Sequence, residues 1–222
     1  LLSVFLEDQS PTFPYIALIV SGGTTSLFKV EGYSQFELLG ATRDDAAGEA
    51  FDKIARYLQL GYPGGPQISE CADRGKSTAL SLPRAWLDEG SLDFSFSGLK
   101  TAVMNHCHRL KQRGDLADQQ INDTCASFQQ AVVDVLIGKT IKATEVHGIK
   151  SVVLGGGVSA NNSLRKQMGK RCATDGLRLY LPAIENCTDN AAMIAFAGLQ
   201  QYIAGDRARL DEDVYSRSPL GR

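Results

Sequence analysis

Two glycine-rich turns constrain this chain more than any other feature. Ser21-Gly22-Gly23-Thr24-Thr25 follows the apolar run Tyr15 to Val20, and Gly155-Gly156-Gly157-Val158-Ser159-Ala160-Asn161 follows Ser151 to Leu154. Clustered glycines are conformationally costly unless the backbone must bend sharply or come close to something. At the end of a buried strand, such a turn lets its N–H groups, with those of the next helix, face a negatively charged ligand. A third segment, Thr188-Asp189-Asn190, opens a helical pattern. Together the three read as a split phosphate-and-sugar site.

The patterning around the turns sets the fold class. Residues 15–20, 26–30 and a stretch closing near residue 40 read as a three-strand meander. Asp44 to Leu60 switches to helical spacing, with Ala47, Phe51, Ile54 and Leu58 on one face. Gly61 to Pro66 is a strong turn, and Ile68 to Ala72 resumes a helix. Residues 76–93 read as a surface excursion; Phe94 to Lys100 then leads into a helix that runs through about Lys111 and breaks at Gly114-Asp115. A long helix then carries Phe128, Val132, Val135 and Leu136 on one face. Strand 151–154, helix 162–174, strand 177–181 and helix 188–204 complete the order. A meander, then helices, then strand–helix–strand–helix predicts an α/β lobe of the actin/hexokinase-like ATPase (RNase H-like) type, a mixed sheet with helices on both faces. The expected organisation is residues 1–14 as the remnant of an N-terminal lobe, 15–205 as a C-terminal actin-like lobe, and 206–222 as a charged tail.

Composition excludes several classes. With 43% hydrophobic and 22% charged residues, the chain is expected to be globular rather than disordered. A net charge of −2 argues against nucleic-acid binding driven by bulk charge, although the strips Lys100 to Arg113 and Arg165 to Arg171 are candidate local basic faces. Five cysteines without CxxC spacing disfavour a disulfide framework or zinc ribbon and point to a reducing cytoplasm. No run is long enough to span a membrane. The start, Leu-Leu-Ser-Val-Phe-Leu-Glu-Asp, reads as the middle of an amphipathic helix without a signal peptide's basic region, so an upstream region is expected.

Each motif has a commoner reading beside the functional one. Ser21-Gly22-Gly23 is either a phosphate hairpin or an ordinary strand connection. Asn161 is either a helix cap or a contact to a sugar or base. Asp189, with Thr188 as the expected cap, is either a first-turn acid favoured by the helix dipole or a metal carboxylate. Asp52 is either a ribose acceptor or part of a solvated face, and Gly64-Gly65 either a turn or a nucleotide floor. Asn105-His106-Cys107-His108 is a poor metal site, because adjacent helical positions point in different directions. No Ser-His-Asp or Cys-His set supplies a covalent nucleophile.

Six motifs taken in order carry a family resemblance. VSGG at 20–23, DDAAGEAFDK at 44–53, YPGGP at 62–66, DFSFSGLKT at 93–101, GGGVSANNSLR at 155–165 and CTDNAAMIA at 187–195 closely resemble the TsaD family, also known as Gcp or YgjD. The resemblance implies two actin-type lobes. It also implies transfer of a threonylcarbamoyl group from threonylcarbamoyl-adenylate to N6 of the adenosine just 3′ of the anticodon in tRNA. TsaB- and TsaE-like proteins are the implied partners. Iron or zinc is the implied metal, one ion per subunit, and threonylcarbamoyl-adenylate or ATP the nucleotide ligand. By motif, Ile19, Val20, Ser21, Gly22 and Gly23 match contacts to the substrate's phosphate or acyl part. Asp52 and Gly65 match ribose-side contacts, Asn161 a nucleotide contact, and Asp189 a metal ligand.

Two departures stand out. The family's other metal ligands are a histidine pair of HxxxH type, which His106, His108 and His147 do not form. The start of the chain matches the sequence that follows that pair, so a first lobe is expected upstream and the isolated chain is expected to be inactive and poorly soluble. The family usually has histidine after SGG, where this chain has Thr24. The alternatives to a transferase are a non-catalytic nucleotide-binding scaffold of the tRNA-modification complex and a metallopeptidase, which would need a histidine pair and a general-base glutamate.

Overall fold

The computed structural model describes residues 1–88, 90–207, 211 and 213. The predicted meander forms as β1 (Tyr15–Val20), β2 (Thr25–Gly32) and β3 (Gln35–Ala41), all antiparallel neighbours. On its other side β1 pairs in parallel with β4 (Ser151–Gly155), which pairs in parallel with β5 (Arg178–Tyr180). The sheet order is therefore β3-β2-β1-β4-β5. The six α-helices are α1 (Ala47–Tyr57), α2 (Gly64–Asp73), α3 (Ser97–Arg113), α4 (Asp118–His147), α5 (Asn162–Thr174) and α6 (Ala191–Ile203).

Alternation along β1 sorts its side chains between two cores. Ile16, Leu18 and Val20 join the larger one, with Phe51, Ile54, Phe128, Leu136 and Leu164 from the helices. Tyr15 and Ala17 join the smaller one with Val4, Phe28, Val30 and Val153. The sheet is thus covered by the α1–α5 layer on one side. On the other side lies the N-terminal segment, whose Phe5 ring stacks on Phe196 of α6 at 5.7 Å.

Four local expectations are revised. The N-terminal segment is a short 3₁₀ turn at Ser3–Leu6, not a helix interior, and Val4 is fully buried against the sheet. Helix α1 starts at Ala47, because Asp44 and Asp45 turn their side chains onto α3 and the segment before it. Helix α2 starts at Gly64, so the Gly64-Gly65 pair forms its first turn rather than a loop. Helix α6 starts at Ala191 with Asn190 as its cap, leaving Asp189 outside the helix and Thr188 without the capping role. The 76–93 excursion lies over α4, held by Arg84 on Asp134 (2.7 Å) and by buried Lys139, which donates to the carbonyls of Trp86 and Ser91. The expected charged tail lies mostly outside the described residues.

Candidate functional site

Because β1 and β4 are parallel neighbours, the turns that follow them emerge at the same edge of the sheet. Ile19 lies opposite Gly155 in the register. Two glycines make this closeness possible. A Cβ on Gly155 would fall 2.9 Å from Ile19 Cδ1, and one on Gly156 would fall 2.5 Å from the Val20 carbonyl oxygen. Gly156 also has φ +86°, a left-handed conformation that suits glycine. The crevice beyond the carboxyl ends of parallel strands, where the strand order changes direction, is the usual ligand position in open α/β sheets.

The first turn is a closed hairpin. Ser21 N donates to the Thr24 carbonyl at 2.7 Å, and Thr24 N donates to Ser21 Oγ at 3.1 Å. Thr24, at the position where histidine was expected, thus closes the turn through its backbone. Gly22 and Gly23 stand exposed at the tip with open space where a Cβ would be, and their amides donate to no acceptor among the described residues. The Val20 side chain is buried in the core, so only its backbone can serve the edge. The first amides of α1 are already used: Ala47 N donates to Thr25 Oγ1 and Gly48 N to the Ser21 carbonyl. Two of the first three amides of α1 are thus taken, which leaves the glycine tip as the richer donor group at this edge.

Of the remaining predicted residues, Asp52 and Asn161 have structural partners. Asp52 Oδ1 accepts from Gly64 N at 2.7 Å and so caps α2. Gly64 is the packing glycine, its Cβ position lying 2.6 Å from the Asp52 Cα, whereas Gly65 faces open space. Asn161 is a helix cap: Oδ1 accepts from Leu164 N at 2.9 Å while Nδ2 donates to Gln129 Oε1 at 2.8 Å. Asp189 is exposed.

No metal centre assembles among the described residues. Among the described residues, no three His, Cys, Asp or Glu side chains stand close enough to share an ion. His106 and His108 lie on α3, where His108 pairs with Gln112, and His147 ends α4. His147 lines a cavity of about 560 Å³ with Lys150 and Arg178, a cavity that contains none of the predicted site residues. Cys187 is near Asp189 in sequence, but its thiol is buried and hydrogen-bonded to the Ala183 carbonyl and Arg165. All five cysteines are buried free thiols.

Most of the two basic strips is exposed: Arg109, Lys111 and Arg113 in the first, and Lys166, Lys170 and Arg171 in the second. Lys100 is paired with Asp45 at 2.6 Å, Lys111 sits over the Tyr57 ring, and Arg171 pairs with Asp175. Arg165 points inward. No described helix is long and apolar enough to cross a membrane.

Residues 1–196 match the family model described as TsaD: tRNA N6-adenosine threonylcarbamoyltransferase. The chain belongs to this family. It is 54% identical over 221 residues to the tRNA N6-adenosine threonylcarbamoyltransferase of Desulfotalea psychrophila, covering 99% of this chain and 64% of that protein. It is 50% identical to that of Paracidovorax citrulli, covering 99% of this chain and 63% of the relative. The chain therefore spans a little under two thirds of these relatives. Among solved structures, T. kodakarensis HypF superposes with a TM-score of 0.62 at 16% identity, over 86% of this chain and 34% of HypF. Full-length HypF in its phosphate- and nucleotide-bound form gives 0.66 at 13% identity, over 91% of this chain and 35% of that one. At such identities the likeness speaks to fold, and it agrees with the ATPase-like lobe predicted for this transferase-family chain.

Proposed function

We propose that this chain is the nucleotide-cradling lobe of a tRNA threonylcarbamoyladenosine-forming transferase. The observation that carries the reading is the pair of glycine turns side by side at the carboxyl edge of β1 and β4, in a member of that family. In the reaction, N6 of the adenosine 3′ of the anticodon attacks the carbamoyl carbon of threonylcarbamoyl-adenylate. A C–N bond forms, the C–O bond to the phosphate breaks, and AMP leaves with the electron pair on its phosphate oxygen. The amine proton passes to solvent.

The chain's own residues supply binding and charge stabilisation. The Gly22 and Gly23 amides face the phosphate as negative charge builds on it, with Ile19, Val20 and Ser21 shaping the strand end beneath. Asp52 holds the start of α2 and offers its second oxygen to the ribose, and Gly65 leaves room for the sugar. Asn161 fixes the second turn against Gln129 and borders the nucleotide. Iron or zinc enters this reading only with donors added to Asp189, because the described residues do not form a metal set. TsaB- and TsaE-like proteins, tRNA as acceptor, and a cytoplasmic setting belong to the same proposal.

A non-catalytic nucleotide-binding scaffold is the second reading, favoured by the exposed, unaccompanied Asp189. The deciding experiment is transfer from threonylcarbamoyl-adenylate to unmodified tRNA with TsaB- and TsaE-like proteins and Fe²⁺ or Zn²⁺. It is run with the chain alone and with the chain extended by the histidine-bearing lobe of a relative. Transfer by the extended protein supports the transferase. Nucleotide binding without transfer in either form supports the scaffold.

A further inference from the structure

The motif GGGVSANNSLR ends in Arg165, a residue the nucleotide site leaves without a task. Arg165 lies in the first turn of α5, where a cation is disfavoured by the helix dipole. Its side chain turns back over that end. Nη1 donates to the Ser159 carbonyl at 3.2 Å and reaches Cys187 Sγ at 3.6 Å, and Nη2 donates to the Pro182 carbonyl at 2.8 Å. One planar guanidinium thus joins the second glycine turn to the stretch leading to Asp189. Only arginine offers several donors in a rigid fork; lysine presents a single compact charge.

A second group grips the same stretch from outside. Glu7 Oε1 accepts from Ala183 N at 2.8 Å and from Asn186 Nδ2 at 2.9 Å. The Asn186 and Ala183 hydrogen bonds hold the Glu7 carboxyl below its ordinary value. Residues 182–187 are therefore held between Arg165 and Glu7. Apart from the short turn Ile184–Asn186, no strand or helix fixes them.

We propose that Arg165 is a positioning residue that makes the Gly155–Asn161 turn and the Asp189 stretch move as one body, with Glu7 as the outer clamp. In the transferase reading, on which its catalytic meaning rests, this sets the distance between the nucleotide cradle and Asp189.

The test is amide hydrogen exchange on the whole chain for wild type, Arg165→Met, Arg165→Lys and Glu7→Gln. The amides to follow are Ser159, Asn161, Ala183, Asn186 and Cys187, all hydrogen-bonded here. Arg165→Met is expected to speed exchange at least about tenfold in both segments, with β1 and β2 unchanged, and Arg165→Lys to fall between. Glu7→Gln is expected to loosen only 183–187. Unchanged exchange at Asn186 and Cys187 in Arg165→Met overturns the proposal. If Arg165→Met unfolds globally, Arg165→Lys decides by the same criterion. Transfer kinetics on the same substitutions in the extended protein add a readout of positioning. A lower kcat with unchanged KM for tRNA, together with loosening, supports positioning. Slower transfer without loosening overturns the tie. Failure of the wild-type chain and its extended form to transfer counts against the transferase reading, and the exchange result still judges the tie.

Discussion

A methyl group on Gly156 would sit 2.5 Å from the Val20 carbonyl, at a φ of +86°. Gly156→Ala is therefore expected to lose roughly 2 kcal/mol or more in urea unfolding, since both the backbone strain and the clash oppose it. Gly22 is the contrast: nothing lies within 4 Å of its Cβ position. Gly22→Ala is expected to keep stability within about 1 kcal/mol while weakening ATP binding, measured by calorimetry beside the unfolding curve. The glycine clusters were legible in the sequence as a group. Which member packs and which meets a ligand was not, because that depends on the atoms opposite: Gly64 faces the Asp52 backbone while its neighbour Gly65 faces open space.

At the scale of elements, Asp45 joins α1 to α3. It accepts from Lys100 at 2.6 Å and also pairs with Lys53 of α1. Partial burial pushes its carboxyl up, and the hydrogen bonds from Lys100 and Lys53 more than reverse this, so it lies below the ordinary 3.8. Asp44 behaves alike, with burial outweighed by bonds from Ser95 and the Phe96 and Ser97 amides. Depressed carboxylates add stability that is fully present above the unfolded value and lost as pH falls through the folded one. The melting temperature is thus expected to fall as pH drops below about 4, and Asp45→Asn is expected to flatten that fall while lowering the neutral-pH value. The helix cap at Asn161 gives another test. Asn161→Ala is expected to cost about 1–2 kcal/mol with no ligand present, because the cap and the Gln129 bond are both lost. A loss of nucleotide affinity in that variant must be read against this structural cost.

At the scale of the molecule, one face is left apolar. Ile194, Leu199, Tyr202 and Ile203 of α6 are each more than half exposed, with Ile194 at 70%. Contiguous apolar surface of this kind drives association. The chain is expected to self-associate at high concentration, and Ile194→Lys with Ile203→Lys to shift its sedimentation toward monomer. Metal binding is likewise a property beyond these elements. A single exposed carboxylate makes a weak site, so titration of the chain with Zn²⁺ is expected to show no stoichiometric tight binding, and Asp189→Ala to change nothing in that titration.

The sequence by itself determined the element order, the meander, the parallel strand–helix–strand unit and the place of both glycine turns. These follow from periodicity and from glycine's backbone freedom, which are local properties. Its six motifs in order also determined the family. Only the tertiary structure decided that Asn161 and Asp52 cap helices, that Asn190 rather than Thr188 starts α6, and that Arg165 turns inward. A side chain's task depends on which donor or acceptor the fold brings within about 3 Å of it, and for Glu7 that partner stands 176 residues away along the chain.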